Sequence, residues 1–181
     1  MNLEGKLRSA LGRYRFRKEL RKNQVVHDTV GFEEAKKIGI LYNATDEADY
    51  EVIKEYVKKL RSEHKKDVLA MGFVDRKKMP ASQFPQYGLD FFCKKDLDFR
   101  MIPKDPIVHN FIQEPFDILV NLNAERCFPL QYIAALSQAR FRVGRYDRRT
   151  VDCYDMMINL KGDPGIRTMI DEIETFLRIL K

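Results

Sequence analysis

The apolar residues of this chain fall into short uninterrupted runs, separated by stretches in which they recur every three or four positions. Two of the runs, residues 38–42 and 68–74, are continuous rather than alternating, which is typical of strands covered on both faces of a sheet. Between them, apolar positions spaced as on one helix face predict an amphipathic helix over residues 48–60, capped by Thr45 or Asp46. A strand, a helix and a strand in this order predict two parallel strands.

The same alternation continues towards the C-terminus. Asp105-Pro106 and Asp163-Pro164 each place a capping aspartate before a proline, which is a usual start of a helix, and a further helix is predicted near residues 129–138. Further strands are predicted at residues 89–93, 116–122, 141–146 and 155–160. This order predicts a single α/β domain over residues 36–181, a three-layer sandwich with a mostly parallel sheet, Rossmann-like or flavodoxin-like.

Residues 1–22 are predicted to form a helical arm before this domain, and residues 23–35 a connector. Phe16 lies nearly opposite the main apolar stripe of the arm, and Gly5 and Gly12 each lower helix stability by about 1 kcal/mol relative to alanine. We therefore expect the helix to need a partner surface, either its own domain or another molecule. The apolar stripe consists of Leu3, Leu7, Ala10, Leu11 and Tyr14.

The charge of the chain is concentrated in the arm. With 181 residues, 44% of them hydrophobic, the chain is long enough for one domain with a sizeable core, and it has no apolar run of membrane-spanning length and no secretory signal. The net charge is +6, and residues 1–22 hold eight Lys or Arg against two Glu. The remaining residues hold 25 basic and 25 acidic groups, so any argument about a polyanionic partner concerns the arm.

The cysteines and histidines are scattered and form no ligand-like spacing. Cys93, Cys127 and Cys153 are an odd number without a C-x-x-C pair, which predicts free thiols in a cytoplasmic protein rather than a disulfide framework. The three histidines, His27, His64 and His109, are likewise scattered along the sequence. We therefore predict no metal site and no cofactor.

The arm supports three interpretations, which the sequence leaves open. Its basic groups, interleaved with Tyr14 and Phe16, suit RNA or a ribonucleoprotein, because Lys and Arg neutralise phosphates and aromatic rings stack on unpaired bases. An anionic membrane surface is a weaker alternative, since the apolar face is modest and lacks tryptophan. The third interpretation is a solvated helix packed on its own domain. The candidate nucleic-acid-binding residues are Arg8, Arg13, Arg15, Arg17, Lys18, Arg21 and Lys22.

Polar residues follow several of the predicted strands, and this indicates a second candidate site. Ligands of open α/β sheets bind outside the carboxyl ends of the strands, so these residues can form a crevice for an anionic small molecule, as in a small transferase or a ligand-binding domain. The alternative is that they cap helices and face water. The candidate ligand-binding residues are Asn43, Asp75, Asn123, Glu125 and Arg126.

Sequence motifs of known nucleotide-binding and hydrolytic sites are missing. The first strand leads into Y-N-A-T-D-E, without a G-x-G-x-x-G or a P-loop pattern, and no G-x-S-x-G occurs. Acidic residues in the first turn of the following helix also oppose an anion at its N-terminus. Whether the protein is an enzyme therefore stays open, and no catalytic residue is predicted.

Two resemblances to known families are carried by particular segments. The stretch from F-D-I-L-V-N-L-N, residues 116–123, to A-R-F-R-V-G, residues 139–144, resembles one β-α-β piece of heptosyltransferase-type glycosyltransferases. That family has a second Rossmann-like domain for the sugar nucleotide, for which 181 residues leave no room, so the likeness implies shared architecture rather than shared activity. The chain as a whole, with its basic start, its I-L-Y-N strand end and its F-D-I-L-V-N-L-N strand, is similar to a group of short bacterial proteins of unknown function.

Overall fold

The computed structural model describes residues 3–23, 25–80, 85–160, 162 and 164–180, with the backbone alone over residues 3–9. Six strands form one sheet in the order β3-β2-β1-β4-β5-β6, and every neighbouring pair is parallel. The strands are β1 Lys37–Asn43, β2 Asp67–Val74, β3 Leu89–Cys93, β4 Ile118–Asn121, β5 Phe141–Arg145 and β6 Met156–Ile158. The helices are α1 Leu3–Leu20, α2 Glu47–Ser62, α3 Pro106–Gln113, α4 Phe128–Leu136 and α5 Ile166–Ile179.

The strand order identifies which doubly wound arrangement the chain adopts. From β1 the chain winds outwards through β2 and β3, and from β4 it winds in the opposite direction through β5 and β6. This is the Rossmann order, so the predicted α/β class is confirmed and the flavodoxin-like alternative is not adopted. The point where the winding reverses lies between β1 and β4, and carboxyl ends of strands at such a point border a crevice.

Helices cover both faces of the sheet, because each exposes an apolar stripe that the strands bury. On one face, α2 and α5 pack over β1 and β2 through residues such as Ile53, Leu60, Ile170 and Ile173. On the other face, α3 and α4 enclose a second core cluster with Leu41, Met71, Phe92, Phe116 and Leu119, and α1 packs on the outer side of α4. The predicted three-layer sandwich is therefore present.

Two predicted starts of elements are two residues too early, and the predicted ends of α4 and β6, residues 138 and 160, are two residues too late. The fourth strand begins at Ile118 rather than at residue 116, because the backbone N–H of Phe116 turns to the carbonyl of Glu114 and its ring stacks on Phe111 at 4.8 Å. The last helix begins at Ile166 with Gly165 as its N-cap, two residues later than the Asp163-Pro164 signature predicts. Asp163 itself lies outside the described residues.

Charged groups close the edge at which the strands begin, which we call the amino edge. The Asp117 carboxylate accepts hydrogen bonds from the backbone N–H groups of Lys36 at 2.8 Å and Lys37 at 2.9 Å, and it pairs with Arg140. Burial of this carboxylate raises its pKa, but the bonds from Lys37, Lys36 and Arg140 outweigh burial and hold the pKa below its ordinary value. The carboxylate thus joins the first residues of β1 to the residue before β4.

A partly buried ion pair connects the starts of β5 and β6 at the same edge. Arg142 is 6% exposed and binds the Asp155 carboxylate in a bidentate manner, with Nη2 at 2.8 Å and Nε at 3.1 Å. Its remaining guanidinium nitrogen donates to the carbonyl of Ala135 in α4. Fork-to-carboxylate geometry of this kind satisfies the donors of a buried arginine, so the group contributes to holding the sheet and α4 together.

Candidate functional sites

The described part of α1 is attached to the domain by one side of the helix. The Phe16 ring packs against the rings of Phe128 and Tyr132 in α4, with centroids 5.9 Å away in each case. The backbone at Gly12 lies so close to the carbonyl group of Arg100 that a side chain there would collide with it. This glycine therefore allows the helix to approach the turn around Arg100 closely, in addition to its effect on helix propensity.

Polar contacts hold the C-terminal half of α1 and the residues that follow it. The hydroxyl of Tyr132 donates to the Glu19 carboxylate, which also pairs with Arg15 at 2.6 Å. Beyond the helix, the Asn23 side-chain amide donates to the carbonyl of Ala135 and accepts a bond from Gln138 at 3.1 Å. The helix is thus bound to α4 along its length from Gly12 onwards.

The packing face differs from the one that the apolar stripe indicates. Leu11 is 42% exposed and Tyr14 is 72% exposed, whereas Phe16, from the opposite side, is in contact with the domain. The side chains of Leu3, Leu7 and Arg8 lie outside the described residues. The described part of the stripe, which includes Leu11 and Tyr14, is therefore not the packing surface. The helix packs instead through Phe16, whose ring contacts the rings of Phe128 and Tyr132.

The outward side of α1 carries cations and aromatic rings together. Six basic side chains between residues 13 and 22 are solvent-exposed, and a groove of about 470 Å³ runs between the helix and the Phe99–Arg100 turn. Tyr14 and Phe99 border this groove, and Phe99 is 60% exposed, with the Arg100 guanidinium over its ring at 5.1 Å. The exposed cations are Arg13, Arg15, Arg17, Lys18, Arg21 and Lys22, of which Arg15 pairs with Glu19. We call this surface the outward face of α1.

A second candidate site lies at the edge where the strands end, which we call the carboxyl edge. A crevice of about 360 Å³ opens beside the ends of β4 and β5, and we call it the β4–β5 crevice. Most of its wall is polar, so it suits a hydrophilic ligand. Its wall includes Asn121, Asn123, Glu125, Arg126, Gln131, Arg145, Asp147, Arg149, Thr150, Tyr154 and Asn159.

One hydroxyl in this crevice is positioned by a chain of hydrogen bonds. Asn121, which ends β4 and is 4% exposed, accepts the backbone N–H of Asn123 at 3.2 Å and donates to the Tyr154 hydroxyl at 2.7 Å. The Tyr154 ring lies on the backbone of Gly144 in β5, where any side chain would collide with it. Burial raises the pKa of Tyr154, so the hydroxyl keeps its proton at neutral pH.

Two arginines of the crevice are held by partners. Arg145, at the end of β5, donates to the carbonyls of Ala124 and Gly162 and so joins two loops of the wall. Arg149 binds the Asp147 carboxylate at 2.8 Å through Nη2. Hydrogen bonds from the Arg149 side chain and backbone lower the pKa of Asp147 to about 2, so this rim carboxylate is ionised at neutral pH.

Two charged residues of the crevice have unused hydrogen-bonding capacity. The side chains of Glu125 and Arg126 are exposed, and neither makes a hydrogen bond or ion pair with another residue that the structure describes. They belong to the loop between β4 and α4, and α4 begins nearby at Phe128 with Cys127 as its N-cap residue. The partial positive charge of a helix N-terminus adds to that of Arg126 at this place.

The crevice at the reversal point between β1 and β4 has the opposite charge. Asn43, Asp46 and Asp49 line it together with Asn123 and Glu125, in a volume of about 380 Å³. Burial, and then the neighbouring Asp46, raise the pKa of Asp49. Asp46 also caps α2 by accepting the N–H of Ala48, as predicted for this position. A phosphate group would be repelled there, in agreement with the acidic first turn noted in the sequence.

The predicted ligand-binding residues are thus brought together only in part. Asn123 and Glu125 line both crevices, Arg126 lines the β4–β5 crevice, and Asn43 lines the acidic one. Asp75 is in neither, because its carboxylate pairs with Lys94 at 2.8 Å and its backbone N–H donates to Thr45. Sequence reasoning missed Tyr154 and Arg149, since nothing in the local pattern D-C-Y-D or D-R-R-T signals a crevice formed by pairing β5 with β6.

The described residues include neither a cluster of metal ligands nor a membrane-spanning helix. Within the described ranges, no group of three or more His, Cys, Asp or Glu side chains is arranged to hold a metal ion. Cys93, Cys127 and Cys153 are free thiols. No helix in the part of the chain described here is both long and apolar enough to cross a membrane.

Comparison with known proteins gives one match. The model of a protein family of unknown function, DUF6913, matches residues 8–180, which is nearly the whole chain. No curated protein and no solved structure matches the chain significantly. The local resemblance to heptosyltransferase-type glycosyltransferases is not supported by any of these comparisons.

Proposed function

The chain belongs to the DUF6913 family of unknown function, and we propose that it is a non-catalytic module that binds single-stranded RNA through the outward face of α1. The observation that carries this proposal is the two-sidedness of the helix. Phe16 and Glu19 hold one side to α4, while Arg17, Lys18 and Arg21 are exposed on the other. A packed surface helix usually carries charges of both signs on its free side, whereas the exposed charged side chains of residues 10–22 are all basic.

Electrostatics favours a polyanionic partner for this helix in particular. Because residues 1–22 hold the whole net charge of +6, and the rest of the chain sums to zero, α1 is the positive region of an otherwise neutral molecule. Lys and Arg that neutralise phosphates release condensed counterions, which supplies affinity without sequence selectivity. The same charge attracts the partner from a distance and accelerates association.

The exposed rings beside the cations favour a single strand over a duplex. Tyr14 and Phe99 stand on the two sides of the groove next to α1, where unpaired bases can stack on their faces. Arg100, held over the Phe99 ring by Asp98, adds a planar cation at the same level. Paired bases in a duplex offer no such free faces, so the aromatic pair favours single-stranded RNA, alone or within a ribonucleoprotein.

The docking of α1 also lowers the cost of binding. Isolated helices of this length with two glycines are marginal in water, and ordering them on a partner costs conformational entropy. Here Gly12, Phe16, Glu19 and Asn23 already fix the helix against the domain. The cations are therefore presented in a preorganised row, which improves affinity.

The test is fluorescence anisotropy of a labelled twelve-nucleotide oligouridine with the full chain, in 50 to 200 mM salt. About four phosphate contacts predict that affinity falls roughly 50-fold over this range. A variant in which Arg17, Lys18, Arg21 and Lys22 are all replaced by alanine should lose most of the binding and most of the salt dependence. The matched control replaces the exposed Lys36, Lys58, Lys77 and Lys78 by alanine, which removes the same charge elsewhere and should leave most of the affinity.

Two results would overturn this proposal. If both quadruple variants weaken binding equally, only net charge matters and the outward face of α1 is not the site. If the wild type ignores oligouridine but binds vesicles that contain phosphatidylserine, and the α1 variant loses that binding, the helix is a membrane-surface element instead.

A further inference from the structure

We propose that the β4–β5 crevice is a binding site for a small phosphorylated metabolite, separate from the outward face of α1. The crevice lies next to the reversal point of a Rossmann-type sheet, at the carboxyl edge where such folds bind ligands. Position in the fold alone does not establish a site. The inference depends on three independent features of this crevice: an available donor, an unpaired cation and a matching size.

The donor is the Tyr154 hydroxyl. Since Asn121 donates to its oxygen at 2.7 Å, the hydroxyl proton is directed elsewhere, and no described residue accepts it. The Asn121 amide is itself fixed, because its oxygen accepts the N–H of Asn123. Gly144 gives the ring the space that it occupies. Four residues therefore combine to aim one O–H at the crevice, which is the arrangement expected for a ligand acceptor oxygen.

The cation is Arg126. Its guanidinium offers five donors and makes no hydrogen bond or ion pair with a described carboxylate, although the Asp147 carboxylate is near enough to attract it. Arg149, in contrast, is hydrogen-bonded to Asp147 at 2.8 Å. The crevice is lined by three arginines, including Arg145, and by two carboxylates, those of Glu125 and Asp147. Its net charge is therefore +1. Arginine forks match the oxygens of a phosphate group, and a neutral tyrosine donor adds a third bond to the same group.

The size and the remaining wall indicate what the phosphate is attached to. A volume of about 360 Å³ is at the lower end of the range for small-molecule sites, which excludes a dinucleotide and exceeds what a bare phosphate fills. Side-chain amides of Asn123, Gln131 and Asn159, with the Thr150 hydroxyl, line the rest. Such groups both donate and accept hydrogen bonds, as the hydroxyls of a sugar or polyol require.

The neighbouring crevice explains why the ligand would not bind at the reversal point itself. Asp46, Asp49 and Glu125 make that crevice acidic, and the sequence after β1 lacks the glycines that let a backbone approach a pyrophosphate. Glu125 lies between the two crevices and lines both. A phosphate is therefore favoured on the arginine side of Glu125 and a hydroxyl group on its acidic side.

The test is isothermal titration calorimetry with ribose 5-phosphate, inorganic phosphate and ribose as probes. We expect ribose 5-phosphate to bind with a Kd of about 1 mM or lower, inorganic phosphate to bind more weakly, and ribose not to bind. Tyr154→Phe and Arg126→Gln should each weaken ribose 5-phosphate about tenfold, because each removes a hydrogen bond to a charged group. Arg148→Gln is the matched control, since it removes an exposed arginine next to Arg149 that does not line the crevice, and it should change Kd less than twofold.

Location and independence are tested on the same variants. Amide chemical shifts should move on addition of ribose 5-phosphate at residues 121–127 and 145–154 and stay unchanged in α1. The α1 quadruple-alanine variant should keep ribose 5-phosphate binding, and Tyr154→Phe should keep oligouridine binding, so the two proposals can fail separately. The inference is overturned if no probe binds at 10 mM, if Arg148→Gln weakens binding as much as Arg126→Gln, or if the shifts map to α1. A Tyr154→Phe variant that folds normally and binds as tightly as wild type would equally overturn it.

Discussion

The two edges of the sheet use charged residues in different ways. At the amino edge, Asp117 is occupied by two backbone N–H groups and Arg140, and Arg142 is occupied by Asp155 and a carbonyl. At the carboxyl edge, the side chain of Arg126 has no hydrogen-bonding partner among the described residues, and the Tyr154 hydroxyl keeps a free proton. The arginines of the amino edge thus all connect elements, whereas at the carboxyl edge Arg145 connects two loops and Arg126 remains available.

The difference teaches how to separate structural charge from candidate ligand contacts in this fold. A charge whose hydrogen-bonding capacity is filled by backbone and by an opposite charge contributes to stability, and removing it leaves buried partners unsatisfied. A charge with spare capacity contributes little to stability and can bind something else. Substitutions at the two edges should therefore divide into those that change unfolding free energy and those that change binding.

The largest contrast is expected between two arginines. Arg142→Ala removes the buried guanidinium that binds the Asp155 carboxylate and the carbonyl of Ala135, and it should lower the free energy of unfolding by about 3 kcal/mol. Arg126→Ala, the same chemical change at the carboxyl edge, should stay within about 0.5 kcal/mol of wild type. Urea unfolding followed by circular dichroism measures both. Equal losses in the two variants would remove the distinction between the edges.

Asp117→Ala, also at the amino edge, should cause the next largest loss of unfolding free energy. The substitution leaves the N–H groups of Lys36 and Lys37 without their acceptor and removes one of the three carboxylates that pair with Arg140, so we expect a loss of about 2 kcal/mol. Ribose 5-phosphate binding by the folded variant should stay unchanged, since the carboxyl edge is at the opposite ends of the strands. A loss of binding without a loss of stability would contradict the comparison.

The contribution of the Asp117 charge should also appear, as a smaller effect, in how the free energy of unfolding changes with pH. Because the folded pKa of Asp117 is below its ordinary value, its charge stabilises the fold above the unfolded pKa near 3.9, and this contribution is lost as pH falls through the folded pKa. Asp117→Asn should therefore be about 1 kcal/mol less stable than wild type at pH 7, and the gap should narrow as pH falls below about 4. A gap that stays constant down to pH 2 would show that the charge of Asp117 does not stabilise the fold.

The comparison also shows what the sequence alone can predict. Continuous apolar runs and helix stripes locate all six strands and helices α2 to α5 to within a few residues, because burial in β1 or α5 depends on local periodicity. Neither the order of strands nor the Tyr154–Asn121 contact can be obtained this way, since both depend on which distant segments pair. For α1, the stripe of Leu11 and Tyr14 was misleading about packing, because the decisive contact comes from the shape of α4 around Phe16.

The smallest predicted effect on stability concerns Asp147, and it sharpens the contrast most directly. This carboxylate pairs with the exposed Arg149 two residues away and connects no second element of the fold, so Asp147→Asn should change the free energy of unfolding by less than about 0.5 kcal/mol. It also removes a negative charge that competes with a ligand phosphate for Arg149, so affinity for ribose 5-phosphate should rise about threefold. Calorimetry of this variant beside Arg148→Gln measures the effect, since the control changes charge in the same loop without freeing a crevice arginine. Weaker binding in Asp147→Asn would mean that the carboxylate serves to orient Arg149, and that even the rim of the carboxyl edge is structural.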